Sequence, residues 1–285
     1  MDTDNPEKPE FASYRSYWDF AKRVRFQQRY VWDEHVKAFI ATVLATLKDR
    51  DVLLRRGTVF FRAQRGIEYV RFRKHDPDEP SGYSAARMKP RPNRATEGRA
   101  NASGVSVLYL GSTLQTVISE VRPWVGADIS VAQLKLKRRL KVVDLSRGHG
   151  RSAFGSIPLG HFLQGTPLTL EQKEAAVWID IDNGFSQPVT LSDDTADYVP
   201  TQILAEVFKN AGYDGIVYKS QFGEKGYNIA LFNPDDANVI NCAPYRVEGF
   251  EVSFDQIGNR WFVPKRTRSS KAKRKMAGSR RKAGK

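Results

Sequence analysis

Residues 98–124 read GRANASGVSVLYLGSTLQTVISEVRPW, and this stretch decides the fold because it predicts a loop, a strand and a helix in succession. Residues 105–110 are mostly β-branched, aliphatic or aromatic and have a glycine on either side, which is typical of a short buried strand. Ser112 is a suitable helix N-cap, and the glutamine three residues later completes a capping box. Pro123 is expected to end the helix.

Glu120 lies at the edge of the apolar face of this predicted helix. At about 100° per residue, its side chain falls roughly 60° beyond the apolar stripe, which consists of Leu114, Val117, Ile118 and Val121. A carboxylate at such a border can serve a cleft. Upstream, Arg99 and Asn101 lie in a glycine-flanked loop that leads into the strand.

These residues resemble the core of the RES domain, a family named for its Arg, Glu and Ser. The resemblance covers about residues 57–242 and rests on ordered blocks. The blocks are Phe-Arg-Ala at 61–63, GRANASG at 98–104, Leu-Tyr-Leu at 108–110 with Glu-Val at 120–121, YDGIVYKS at 213–220, and NIALF at 228–232.

The resemblance implies a fold similar to that of ADP-ribosyltransferase toxins and an enzyme that degrades NAD⁺ as a toxin of a toxin–antitoxin pair. It further implies NAD⁺ phosphorylase activity with inorganic phosphate as acceptor, and an Xre-type antitoxin that occludes the site. NAD⁺ is then a substrate, and no cofactor or metal is expected. Water or a macromolecule as acceptor, giving a glycohydrolase or an ADP-ribosyltransferase, stays open.

The remaining pattern predicts an α+β fold, because strands and helices alternate without regular βαβ order. We expect a mixed or antiparallel sheet flanked by helices. Five segments are predicted: a disordered start at 1–12, a helical extension at 13–56, the catalytic domain at 57–242, a C-terminal extension at 243–264 and a disordered basic tail at 265–285.

Three of the resembled residues have chemistry that suits cleavage of a nicotinamide glycosidic bond. The transition state resembles an oxocarbenium ion, and the carboxylate of Glu120 can stabilise its charge. Arg62 and Arg99 are candidates for the substrate pyrophosphate, because arginine makes bidentate contacts that lysine cannot make.

Three further residues are assigned to NAD⁺ binding. The ring of Tyr109 can stack on nicotinamide or adenine. Ser220 is expected to bond the nicotinamide-side ribose or to position Glu120, and it is counted with Glu120 and Arg62 as catalytic. Asn101 is assigned to the substrate site with the loop that contains it. Each of these residues could instead be structural.

Several other patterns have less specific interpretations. Residues 14–47 have an amphipathic helical pattern, which predicts either a layer packed on the catalytic domain or a surface for a partner. The proline-rich segment 74–104 predicts a lid or a mobile insertion. Asp180 and Asp182 are expected to be solvated turn acids rather than metal ligands.

Charge and composition define the remaining expectations. The formal net charge is +14, but residues 265–285 contain eleven Lys or Arg and no acid, which leaves +3 for the rest. This tail predicts salt-sensitive, sequence-independent binding of nucleic acid, an alternative function for the chain. The single Cys242 and the absence of a signal-like or membrane-spanning apolar segment favour a cytoplasmic protein.

Overall fold

The computed structural model describes residues 9–71, 73–186, 195–220, 226–251 and 255–259. The basic tail at 265–285 and its predicted nucleic-acid binding lie outside the described residues. The described residues up to Gly249 form one compact unit. No helix among the described residues is long and apolar enough to cross a membrane.

The α-helices are α1 (Ser16–Phe26), α2 (Glu34–Thr46), α3 (Leu114–Glu120), α4 (Leu159–Gln164), α5 (Leu170–Ser186) and α6 (Val199–Asn210). Short 3₁₀ helices span Leu47–Arg50, Phe154–Ser156, Thr195–Tyr198 and Pro234–Asp236. The strands are β1 (Asp51–Leu54), β2 (Val59–Arg65), β3 (Glu68–Val70), β4 (Glu79–Ser81), β5 (Leu108–Gly111), β6 (Asp128–Leu136), β7 (Leu140–Leu145), β8 (Gly215–Lys219), β9 (Tyr227–Leu231) and β10 (Ala237–Arg246).

Eight strands form one mixed sheet in the order β1-β7-β8-β9-β5-β2-β6-β10, and β3 pairs with β4 in a separate hairpin. Only β7 and β8 are parallel among the described pairs. The α+β prediction with a mixed or antiparallel sheet flanked by helices is therefore confirmed. The boundary predicted at residue 242 falls inside β10, which continues to Arg246. The other predicted boundaries stay predictions.

The N-terminal helices pack on the sheet domain, as one of the two interpretations of residues 14–47 predicts. Phe20, Phe39 and Val43 share a core with residues of α5, α6 and the sheet. The segment is two helices rather than one, because Asp33 caps α2 by accepting a hydrogen bond from the Val36 amide at 2.9 Å. Within residues 1–12, which are predicted to be disordered, Phe11 is buried and packs against Phe39.

Part of the segment at 74–104 packs into the core. It contains β4, and its Tyr83 and Met88 are buried in a cluster with residues of β2, β5, β6 and β9. The large sheet has two halves that meet between β5 and β2. Strands from both halves contribute to this cluster, so the halves share one core. The burial of these two side chains contradicts a wholly mobile insertion, and the lid stays a prediction.

Asp180 and Asp182 both lie in α5 and are buried, so the prediction of solvated turn acids is wrong. Among the described residues, no group of three or more His, Cys, Asp or Glu could hold a metal ion. Asp182 instead forms a buried ion pair with Arg50, whose Nη1 lies 2.6 Å from Oδ1. The Gly148 amide donates to Oδ2 at 2.7 Å, and the guanidinium lies over the Trp178 ring at 4.2 Å. This pair ties α5 to the segment before β1.

Replacing Arg50 with methionine leaves the carboxylate of Asp182 buried without its cation. We expect the free energy of unfolding to fall by about 3–5 kcal/mol, the cost of removing one partner of a buried pair. Urea unfolding measures this change. Arg50→Met combined with Asp182→Leu should recover part of the loss, because the uncompensated charge is then gone. An Arg50→Met protein as stable as the parent contradicts this account.

Candidate active site

The candidate site lies where the large sheet nearly separates. Strands β2 and β5 pair at a single position, Phe61 opposite Gly111. Continued pairing in this register would place Ala63 opposite Tyr109, but the strands diverge instead. Nη1 of Arg62 donates a hydrogen bond to the carbonyl oxygen of Tyr109 at 3.0 Å. The guanidinium therefore spans the opening between the two strands.

Arg62 is half-buried, since it follows Phe60 by two residues and so lies on the same face of β2, toward the shared core. Desolvation lowers the pKa of Arg62 to about 10, which still leaves the group charged near neutral pH. Its Nε is buried without a hydrogen-bond partner among the described residues. An unpaired buried donor is costly, so this atom has an unfilled capacity for an anion.

Glu120 is the last residue of α3, which is capped by Thr113 rather than by the predicted Ser112. Its Oε1 accepts hydrogen bonds from Ser220 Oγ at 2.9 Å and from Asn228 Nδ2 at 2.6 Å. Both donors are buried, whereas Glu120 itself is exposed. The carboxylate is thus fixed by two elements outside its own helix. Its Oε2 accepts no hydrogen bond from the described residues.

The loop at 98–101 is closed by hydrogen bonds between its own ends. The Gly98 amide donates to the carbonyl oxygen of Asn101 at 3.0 Å, and the Asn101 amide donates to Gly98 at 3.3 Å. Nε2 of Gln202, on α6, donates to both carbonyl oxygens at 3.0 Å. A Cβ on Gly98 would lie 2.7 Å from the hydroxyl oxygen of Tyr109, so only glycine fits there.

Tyr109 and Asn101 hold this loop against β5. The Tyr109 hydroxyl donates to Asn101 Oδ1 at 2.6 Å and accepts from the Ala100 amide at 3.0 Å. Nδ2 of Asn101 donates to the carbonyl oxygens of Thr96 and Ala102. Burial raises the pKa of Tyr109 to about 12, so the hydroxyl keeps its proton and remains a donor. The side chain of Asn101 is therefore engaged within the protein.

A cavity of about 300 Å³ brings most of the predicted residues together. Its lining includes Arg62, Arg99, Tyr109 and Glu120. Ser220 does not line it but donates a hydrogen bond to Glu120. Arg99 also donates from Nη1 to the carbonyl oxygen of Phe185 at 2.8 Å. Asn101 does not line this cavity but lines an adjoining one. We call this space the catalytic cavity; its other walls include Gly98, Val117, Tyr198, Tyr218 and Asn228.

A family model for the RES domain matches residues 70–248 of the chain. The chain belongs to the RES domain family. The match contains Arg99, Glu120 and Ser220 and extends to the end of β10, whereas Arg62 precedes it. The predicted family is therefore confirmed, and the catalytic cavity lies largely within the matched RES residues.

Two further comparisons give little more. No curated protein matches the chain significantly. Among solved structures, the crystal structure of the M. tuberculosis MbcT–MbcA toxin–antitoxin complex is similar at 14% identity and a TM-score of 0.38. The alignment covers 72% of this chain and 92% of that chain. A similarity this low does not establish a common function.

Four residues of this RES site have no role in the sequence prediction: Asn228, Gln202, Tyr198 and Tyr218. Asn228 carried a signal, since it is a polar residue at the start of an otherwise apolar strand. Pairing places it opposite Tyr218 on β8 and Gly111 on β5, directly beside α3. Gln202 had no signal, because its contact with the loop joins residues about a hundred positions apart.

Replacing Tyr109 with phenylalanine removes the hydroxyl that bonds Ala100 and Asn101. We expect faster amide hydrogen exchange at Ala100 and a loss of about 1–2 kcal/mol in unfolding free energy, because buried groups lose their partner. Tyr30→Phe is the matched control, since Tyr30 is exposed. Unchanged exchange at Ala100 would show that the loop does not depend on this hydroxyl.

Proposed function

We propose that this RES domain protein is an NAD⁺ phosphorylase: it cleaves the nicotinamide N-glycosidic bond and transfers the ADP-ribosyl group to inorganic phosphate. The observation that supports this most directly is the carboxylate of Glu120, fixed by Ser220 and Asn228 at a cavity whose wall also contains Arg62 and Arg99. One fixed anion with two arginines suits a substrate that develops a cation beside its phosphates.

In the proposed reaction the bond between ribose C1′ and the nicotinamide nitrogen breaks, and its electron pair stays on nicotinamide, which leaves as a neutral molecule. The ribose ring becomes oxocarbenium-like, and Glu120 stabilises that charge through Oε2. An oxygen of hydrogen phosphate then bonds to C1′, and its proton is released to solvent. The products are nicotinamide and ADP-ribose 1″-phosphate.

The hydrogen bonds to Glu120 explain why it acts as a charge stabiliser. Two donors on Oε1 restrict the rotation of the carboxylate and hold it in one orientation. The Tyr198 and Tyr218 rings in the same wall offer apolar faces for nicotinamide. Burial raises the pKa of Tyr218, so it remains neutral beside this charge. Ser220 acts in this scheme by positioning Glu120.

Replacing Glu120 with glutamine keeps the shape of the side chain but removes its charge. We expect kcat to fall by about 10²–10³-fold, as for loss of one preorganised electrostatic contact. The measurement is NAD⁺ turnover with and without phosphate, with products identified by mass. Glu171→Gln is the matched control, since Glu171 is an exposed helix acid.

The product masses also decide the acceptor. ADP-ribose 1″-phosphate that forms only with phosphate supports the phosphorylase. Free ADP-ribose at equal rates with and without phosphate would make the enzyme a glycohydrolase, and an ADP-ribosylated macromolecule would make it a transferase. Full turnover by a folded Glu120→Gln protein would refute the role of the carboxylate.

Replacing Arg62 with lysine keeps one positive charge but loses the fork and the bond to Tyr109. We expect KM for NAD⁺ to rise about tenfold, the effect of one lost charge-assisted hydrogen bond. Arg65→Lys on the same strand is the control, because Arg65 is exposed and lines neither the catalytic cavity nor the second cavity that adjoins it. Arg99→Lys should behave like Arg62→Lys. Unchanged KM in both would make these arginines structural.

The biological role we propose is that of a cytoplasmic toxin whose partner is an antitoxin, of the Xre type by family resemblance. Depletion of NAD⁺ would then account for toxicity. Expression in bacteria should lower cellular NAD⁺ and stop growth, and Glu120→Gln should relieve both effects. Growth arrest that persists with Glu120→Gln would separate toxicity from NAD⁺ cleavage.

A further inference from the structure

A second cavity of about 330 Å³ adjoins the catalytic cavity and shares Arg62 and Tyr109 with it. We call it the basic cavity, because five of its lining side chains are cationic and none is acidic: Arg62, Arg87, Lys89, Arg91 and Arg94. Glu97, the only acid of residues 87–98, is exposed and does not line it. The local charge is therefore strongly positive.

Two of these cations already have anionic partners. Arg87 lies 3.6 Å from Glu68, and its guanidinium stacks on Tyr83. Lys89 lies 3.1 Å from Asp235. In contrast, Arg91 and Arg94 form no ion pair within the described part of the chain. Their charge is available to a ligand.

A hydrogen-bonded turn joins Arg91 and Arg94. The Arg94 amide donates to the carbonyl oxygen of Arg91 at 3.4 Å, which closes a four-residue turn. Pro92 occupies its second position and Asn93, at φ +59°, its third, the arrangement that a type II turn favours. Ser106 Oγ also donates to the Arg91 carbonyl at 3.1 Å. The two arginines thus lie at the two ends of one short turn.

We propose that the basic cavity binds the adenosine half of the dinucleotide and that Arg91 and Arg94 hold a phosphate on its ribose, so that the 2′-phosphorylated dinucleotide, NADP⁺, is the preferred substrate. This rests on the proposed cleavage of nicotinamide dinucleotides. The pyrophosphate, near the shared Arg62 and close to Arg99, has its own cations. Arg91 and Arg94 therefore match a third phosphate.

The sizes of the cavities support this division. At about 300 Å³ the catalytic cavity is at the lower end of the range for ligand sites, roughly 300–1,000 Å³, so a dinucleotide must extend beyond it. The basic cavity is the adjoining space, and arginine is the residue that accommodates a ribose 2′-phosphate in other nucleotide sites.

Neither Arg91 nor Arg94 lines the catalytic cavity with Glu120, so they are poorly placed to hold the acceptor phosphate against C1′. A cavity of this size also fits one nucleotide better than a nucleic-acid strand. The arginines are thus specificity residues for the substrate rather than catalytic residues.

The test compares kcat/KM for NADP⁺ and NAD⁺ in the parent protein and in the double variant Arg91→Gln, Arg94→Gln. We expect the parent to favour NADP⁺ by about tenfold, the value of one charge-assisted contact, and the double variant to lose that preference. NAD⁺ turnover should change by less than about threefold, the usual scatter for an exposed charge. Arg56→Gln, an exposed arginine outside both cavities, is the control.

A binding measurement separates this inference from the catalytic proposal. Calorimetry with adenosine 2′,5′-bisphosphate, ADP and inorganic phosphate needs no turnover. Tighter binding of the 2′,5′-bisphosphate than of ADP, lost in the double variant, supports the basic cavity even if neither dinucleotide is cleaved. Equal binding of the two nucleotides, or NAD⁺ cleaved as well as NADP⁺ by the parent, overturns the inference and leaves the phosphorylase proposal standing. The inference is also overturned if inorganic phosphate binds and neither nucleotide does.

Discussion

The site depends on the junction between β2 and β5, where a single residue pair joins the two halves of the sheet. Because β2 and β5 pair only through Phe61 and Gly111, an opening forms between two halves that otherwise share a core. The guanidinium of Arg62 crosses this opening to the carbonyl oxygen of Tyr109. The Arg62 side chain thus donates a hydrogen bond to a backbone carbonyl of β5 and places a positive charge in the opening. The same contact therefore places a cation where β2 and β5 diverge.

Glu120 depends on the other half of the structure. Its helix packs on β2 and β6, yet its carboxylate is held by donors from the β8–β9 region. The loop with Arg99 depends in turn on α6 through Gln202 and on β5 through Tyr109. Each charged group is therefore positioned by an element distant in sequence. Unfolding of either half would separate the carboxylate from the arginines.

These distances explain what the sequence could and could not predict. The strand–helix unit around Glu120, the α+β class and the packed N-terminal layer follow from local periodicity. The roles of Asn228 and Gln202 do not, because each is defined by a contact about a hundred residues away. The prediction that Asp182 is a solvated turn acid is wrong for the same reason, because its partner, Arg50, precedes it by 132 residues. Asn101 matches the motif, but its side chain forms hydrogen bonds within the protein, to Thr96, Ala102 and Tyr109.

The electrostatics of the opening favour a ligand with several phosphates over a single anion. Burial lowers the pKa of Arg62 to about 10, so the group stays charged, but at a cost in desolvation that its bond to Tyr109 offsets only in part. Its unpaired Nε gains most from an anion that accepts its hydrogen bond. Arg62 lines the catalytic cavity together with Arg99 and the basic cavity together with Arg91 and Arg94. A ligand that bridges these positions relieves the buried charge and neutralises the exposed ones together, which a lone phosphate at either end does not do.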